Sequence, residues 1–244
     1  MSTPLTILVT GASRGLGLAI ASDLLGKGYG VIALSRQRTK AIEALAEKHS
    51  GLIRWVEFDL SSPAEMTTEW FQQVVTQKQP IHGLVNNAAV AYDDLVTNLE
   101  LDSLENQMRI NVTSPMILTK MMIRQMLLHQ VGGSIVHISS ISTQQGYKGL
   151  AMYAATKGAI EAFSKNTAKE WGPRKIRSNC VVPGFMPTEM SSGLDHEVKE
   201  RIFNRTSLKE STSIESVAAT VAFLLSDDSR SITGQNIIVD AGTI

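Results

Sequence analysis

A glycine-rich turn joining an apolar strand to an amphipathic helix most narrows how this chain can fold. Residues 5–10 form a short apolar run, and Gly11, Gly15 and Gly17 follow directly, opening an amphipathic stretch over 16–27. So short and apolar a run reads as a strand buried on both faces. Glycine at this junction permits a tight turn, lets the backbone approach a ligand, and lets the helix pack closely on the strand. A phosphate placed there meets free N–H groups and the positive end of the helix. Thr10-Gly11-Ala12-Ser13-Arg14-Gly15-Leu16-Gly17 therefore reads as a dinucleotide-binding turn, spaced Gly-x-x-x-Gly-x-Gly rather than Gly-x-Gly-x-x-Gly.

The rest of the chain repeats the strand–helix alternation. Further strands are expected at 31–34, 53–58, 81–85, 134–138, 176–182 and 236–239. Helices are expected at 39–48, 101–129, 152–171 (the helix carrying Tyr153), 195–205 and 214–225. Another opens at Ser62-Pro63, with the serine as cap and the proline at the first helical position. Apolar strands separated by helices predict a doubly wound parallel α/β sheet, a Rossmann fold of about seven strands with helices on both faces. No repeat, low-complexity segment or linker divides the chain, so residues 1–244 read as one domain. Residues 186–210 are the least patterned piece and read as a substrate lid.

Composition removes several classes. Twenty-three basic and 23 acidic side chains leave no net charge, which excludes a nucleic-acid binder working through a broad basic surface. No apolar run approaches the ~18 residues of a membrane span, and no cleavable signal opens the chain. The single cysteine, Cys180, lies in an apolar run and reads as a buried strand residue. A soluble cytoplasmic protein without a metal site is expected.

The chemistry-bearing residues fall at strand ends and on one helix. Beyond the second strand, where an acidic residue would bind the ribose 2′-hydroxyl of NAD, the chain has Ser35-Arg36, and Arg14 lies in the glycine turn. Two guanidiniums suit a 2′-phosphate, so NADPH is favoured. Asp59 follows the third strand, where it either accepts from an adenine amino group or serves as a loop cap. Ser139-Ser140 ends the fifth strand. Tyr153 and Lys157, four residues apart, project from one face of a helix. An ammonium beside a phenol favours the phenolate, which suits a proton donor to a carbonyl oxygen.

Taken jointly, Thr10-Gly11-x-x-x-Gly15-x-Gly17, Asp59, Asn86-Asn87-Ala88, Asn111, Ser140, Tyr153-x-x-x-Lys157 and Pro183-Gly184 resemble the short-chain dehydrogenases/reductases over essentially the full length. The likeness is nearest to the 3-oxoacyl-[acyl-carrier-protein] reductase-like members. It implies Tyr153 as general acid, Lys157 as the partner that lowers its pKa and binds the nicotinamide ribose, Ser140 as carbonyl orienter, and Asn111 as anchor of a relay water. The implied cofactor contacts are Gly11, Ser13, Arg14, Gly15, Leu16, Gly17, Ser35, Arg36, Asp59, Leu60, Asn87, Ala88, Tyr153, Lys157, Pro183, Gly184, Met186 and Thr188. It also implies a homotetramer, with the helices over 101–129 and 152–171 as candidate interfaces, and an acyl-thioester substrate, on acyl carrier protein or coenzyme A.

Three positions depart from that pattern. Ala89 replaces a usual glycine, which is tolerable unless the position needs a positive φ. Val131, after His129 and Gln130, stands where an arginine would meet an acidic carrier, leaving Arg174 and Lys175 as docking cations. Leu150, among Gln144, Gln145, Tyr147 and Met152, suggests an apolar pocket wall. An oxidative alcohol or sugar dehydrogenase and an idle dinucleotide-binding scaffold are the competing functions. The first is disfavoured by the absence of an acidic residue near 35, the second by the intact Ser140–Tyr153–Lys157 set.

Overall fold

The computed structural model describes residues 4–75, 79–187 and 195–244. In chain order its elements are β1 (Thr6–Thr10), α1 (Gly15–Gly26), β2 (Gly30–Ser35), α2 (Lys40–Lys48), β3 (Ile53–Glu57), α3 (Thr68–Val74), β4 (Gly83–Asn86) and α4 (Leu101–Met108). There follow α5 (Ser114–Leu128), β5 (Gly133–Ile138), α6 (Ala151–Trp171), β6 (Ile176–Pro183), α7 (His196–Phe203), α8 (Ile214–Leu225) and β7 (Asn236–Val239). The seven strands form one sheet in the order β3-β2-β1-β4-β5-β6-β7, every pair parallel. The order in which successive strands are added reverses between β1 and β4. In such a sheet the crevice for a ligand opens there, at the carboxyl ends of the strands.

Strand periodicity decides which helix meets which face. Ile7 and Val9 of β1 pack with Ile20 and Leu24 of α1 and Val217 and Val221 of α8. Leu8, between them, points to the opposite face, with Phe71 of α3 and Leu118 and Met122 of α5. Burial of each such side chain contributes about 1.5–3 kcal/mol.

The helix expected over 101–129 runs through α4 and α5, joined by a π-helical turn at Arg109–Thr113 that includes Asn111. Pro115 stands four residues beyond Asn111 and has no N–H to give its carbonyl, so the α-helical ladder cannot continue there. The turn widens, and the Ser114 N–H reaches back to the Arg109 carbonyl.

The start at Ser62-Pro63 is corrected. That stretch makes only a 3-10 turn, Pro63–Glu65, without a side-chain cap. Met66 is drawn into the core, and Thr67 caps α3 instead, its hydroxyl accepting from Trp70 N at 3.1 Å. Within 186–210, residues 186–187 and 195–210 are described, the latter forming α7 and a following turn. That turn is held to the chain's last residues by Ser207 N to Gly242 O at 2.9 Å and Leu208 N to Ala241 O at 3.1 Å.

Where β1 meets α1 the backbone is packed to its limit. A Cβ on Gly17 would stand 2.1 Å from the Gly11 carbonyl oxygen and 2.6 Å from Asn87 Nδ2. Gly17→Ala should therefore lower unfolding free energy by at least ~2 kcal/mol, read from urea denaturation; an unchanged midpoint would refute this packing.

Candidate active site

The β1–α1 turn has the form of an anion cradle. Gly11 and Gly15 adopt positive φ of 66° and 53°, which favours glycine. No side chain caps α1, since Arg14 occupies that position with extended backbone, and a Cβ at Gly15 would meet open space. The first N–H groups of the helix thus remain for a ligand, at its positive end. Leu16 and Gly17 are buried behind the turn. The Thr39 hydroxyl, capping α2, also donates to the Ser13 carbonyl at 2.9 Å, which draws the end of β2 to the turn. Arg14 and Arg36 are both exposed at this edge. These residues fit a dinucleotide phosphate.

Ser35 ends β2 with its side chain turned into the sheet edge. It is buried, its hydroxyl donates to the Gln37 carbonyl at 2.9 Å, and it accepts from the Trp55 indole at 2.9 Å. Its side chain is thus committed to the β2–β3 edge. Asp59 is exposed and uses Oδ1 to accept from Ser61 N at 2.9 Å, a loop-capping bond that leaves Oδ2 for another donor. Leu60 is buried, with its carbonyl accepting from Ser114 Oγ at 2.6 Å. Asn87 Nδ2 donates to the Thr10 carbonyl at 2.9 Å, and the N–H groups of Asn87 and Ala88 both donate to Thr10 Oγ1 at 3.0 Å. These bonds clamp the ends of β1 and β4. Ala89 is not among the residues with positive φ, so the missing glycine brings no strain.

Pro183 ends β6. A Cβ on Gly184 would lie 2.4 Å from Thr212 Oγ1, so that position also needs glycine. Met186 packs partly buried against the core, and Thr188 lies outside the described residues.

The ends of β5 and α6 bring the reactive set together. Ser140 leads into a 3-10 turn and accepts from Ser142 N at 3.2 Å. Its hydroxyl is also close enough to the Tyr153 phenol to favour its ionised form. Lys157, only 4% exposed, donates from Nζ to the Ile138 carbonyl at 2.8 Å and stands 5.5 Å from the centre of the Tyr153 ring. Asn111 is buried. Its Oδ1 accepts from Val90 N at 2.9 Å, and Nδ2 donates to Val90 O at 2.8 Å and Thr156 Oγ1 at 3.0 Å. Its side chain thus ties the segment after β4 to α6, one turn from Tyr153.

The electrostatics correct one expectation. Although part of Tyr153 still meets solvent, desolvation pushes its phenol up, to about 12. The Ser140 hydrogen bond pulls it down, and the Asp93 carboxylate pushes it up. The Lys157 ammonium is turned to the Ile138 carbonyl and is itself desolvated, to a pKa of about 8, so the net effect of these surroundings on the phenol is upward.

The proposed docking cations are elsewhere. Arg174 and Lys175 precede β6, and His129, Gln130 and Val131 precede β5. They therefore lie at the amino-terminal edge of a parallel sheet, opposite Ser140. Asp93, Glu161 and Pro115 escaped the sequence reading. Two of them carried a signal: Glu161 as a charge four residues beyond Lys157 on the same helical face, and Pro115 as a residue without an N–H four positions beyond Asn111.

Residues 11–243 match a family model described as Enoyl-(Acyl carrier protein) reductase. The 3-oxoacyl-[acyl-carrier-protein] reductase FabG of Aquifex aeolicus (strain VF5) is 36% identical over 238 residues, covering 96% of this chain and 95% of its own. The L-xylulose reductase of Caenorhabditis elegans is 31% identical, covering 97% and 94%. Among solved structures, a 4-hydroxyisoleucine dehydrogenase complexed with NADH superposes with a TM-score of 0.90 at 27% identity, over 98% of each chain.

Behind Ser139, His137 is fully enclosed, with Nδ1 3.1 Å from Asn86 Nδ2 and its ring edge-on to Phe163 at 5.9 Å. Burial pushes its pKa down to about 3, and the Lys157 charge acts the same way. Below its ordinary value near 6.5, the unfolded chain takes a proton that the folded chain refuses, so stability falls as pH drops through that window. Between about pH 7 and about pH 5, the wild type should lose ~2 kcal/mol more than His137→Gln; parallel denaturation profiles would contradict this.

Proposed function

The chain belongs to the short-chain dehydrogenase/reductase family of oxidoreductases, and on that premise we propose that it reduces the ketone of a 3-oxoacyl thioester, or a similar ketone, to a secondary alcohol with NADPH. The observation that carries this reading is the convergence of the Ser140 hydroxyl and the Lys157 ammonium on the Tyr153 side chain, with the ammonium 5.5 Å from the ring centre. A reduced nicotinamide dinucleotide bound along the cradle supplies the hydride. Gly11, Ser13, Arg14, Gly15, Leu16 and Gly17 would hold it, together with Ser35, Arg36, Asp59, Leu60, Asn87, Ala88, Pro183, Gly184, Met186 and Thr188.

Tyr153 and Ser140 then converge on the substrate oxygen. Tyr153 donates its proton as negative charge develops there, and Ser140 holds that oxygen with a second hydrogen bond. A phenol raised to about 12 keeps its proton at neutral pH, so it stands ready as the acid that reduction needs. Lys157 keeps a cation beside the ring and reaches the ribose hydroxyls. Asn111 anchors the relay water that returns a proton. Pro115 supports this role, since it denies the Asn111 carbonyl its helical donor.

Arg14 and Arg36, with no carboxylate at the end of β2, support NADPH over NADH. A sugar ketone is the second reading, favoured by the similar extent of likeness to the L-xylulose reductase. We also propose a homotetramer built on α4, α5 and α6. Leu101, Met108 and Leu128 remain 64%, 37% and 71% exposed, more apolar surface than one isolated helix face should leave to water.

NADPH oxidation with acetoacetyl-coenzyme A tests the reaction. Tyr153→Phe should lower kcat by ~100-fold or more while NADPH still binds; full turnover in that variant would end the mechanism. Replacing Arg14 and Arg36 with alanine should weaken NADPH binding by ~10–100-fold and leave NADH binding little changed. Equal loss for both cofactors would remove the case for a 2′-phosphate site.

A further inference from the structure

One buried carboxylate, outside the set already described, collects donors from around the site. Glu161 lies on α6 one turn beyond Lys157 and is only 8% exposed. Its Oε1 accepts from the Ser139 hydroxyl at 2.5 Å and lies 2.7 Å from the Thr143 hydroxyl. Its Oε2 accepts from the Gln144 amide at 3.3 Å and from the Asn236 amide of β7 at 2.7 Å. Three of these four partners come from a single loop. Ser139 immediately precedes Ser140, and Thr143 and Gln144 close the 3-10 turn that follows it. The Thr143 hydroxyl also stands 2.9 Å from the Ser140 carbonyl. A tie made only to join α6 to β7 would need Asn236 alone.

We propose that Glu161 is a positioning residue: by gripping the chain on both sides of Ser140, it holds that hydroxyl at the Tyr153 phenol. The inference rests on the roles given above to Ser140 and Tyr153. The chemistry suits the task, because an ionised carboxylate is purely an acceptor and takes several hydroxyl and amide donors at once. A reacting group displaced by ~1 Å costs a large factor in rate, so a fixed loop has catalytic consequence.

Glu161→Gln keeps the shape but presents an NH2 to partners that are donors. With NADPH and acetoacetyl-coenzyme A, kcat should fall ~10–100-fold while the NADPH dissociation constant, read by fluorescence, stays within about twofold. In a Ser140→Ala background the same change should alter kcat by less than about twofold, since its effect passes through a hydroxyl already removed. Losses that multiply in the double variant would overturn the proposal. Ser139→Ala, which leaves Glu161 untouched, should show the same dependence on Ser140, and it decides the matter if Glu161→Gln does not fold. Should the wild type reduce no ketone, the functional reading fails, and the tyrosinate absorbance of each variant against its Tyr153→Phe counterpart tests Glu161 instead. Glu161→Gln and Ser140→Ala should then delay phenol ionisation to higher pH alike. An unmoved ionisation in Glu161→Gln would refute the positioning role.

Discussion

The close approach of α1 to the end of β1 is the constraint on which the rest of the site depends. Gly17 sits so near the Gly11 carbonyl that no side chain can come between, and the Asn87 amide fills the remaining space beside both. Thr10 completes the knot by accepting the N–H groups of Asn87 and Ala88 and donating to the Val85 carbonyl at 3.3 Å. This joins β1 and β4 where strand order reverses, with the uncapped end of α1 pointing into the crevice. Looser packing here would move the cradle away from the strands that carry the reactive groups.

At the other end of the crevice, desolvation dominates. Tyr153 and Lys157 are both disfavoured in their charged forms, so the phenol rises and the ammonium falls. Their pairing is therefore less a direct ion contact than a shared dry environment, with Ile138 and Ser140 as immediate polar partners. The Ser140 hydroxyl favours the phenolate, so its placement bears on how readily the proton leaves. Glu161, Ser139 and Thr143 fix that placement through ordinary hydrogen bonds, each modest alone and mutually reinforcing in a buried network.

Much of the fold was legible because it rests on local signals. Apolar strands, helical periodicity and the glycine turn identified seven strands and a doubly wound sheet, and all seven strands are present. The errors came where burial overrode a local signal. Ser62-Pro63 looks like a helix start, yet Met66 is worth more in the core than in a longer helix, and Thr67 is available as a cap. The widened turn at Asn111 could have been foreseen, since Pro115 four residues on cannot support an α-helix there.

By itself, the sequence determined the strand–helix alternation, the glycines that the β1–α1 turn requires, and the presence of Ser140, Tyr153 and Lys157 in an order that marks the family. These depend on backbone conformation and on spacing along the chain, which neighbouring residues control. Only the tertiary structure decided that Tyr153 is raised rather than lowered, that Arg174 and Lys175 lie at the far edge of the sheet, and that Glu161 reaches the loop bearing Ser140. The reason is physical: a pKa depends on how much water the surrounding fold excludes, and a carboxylate's partners depend on which segments the fold brings within about 3 Å of it.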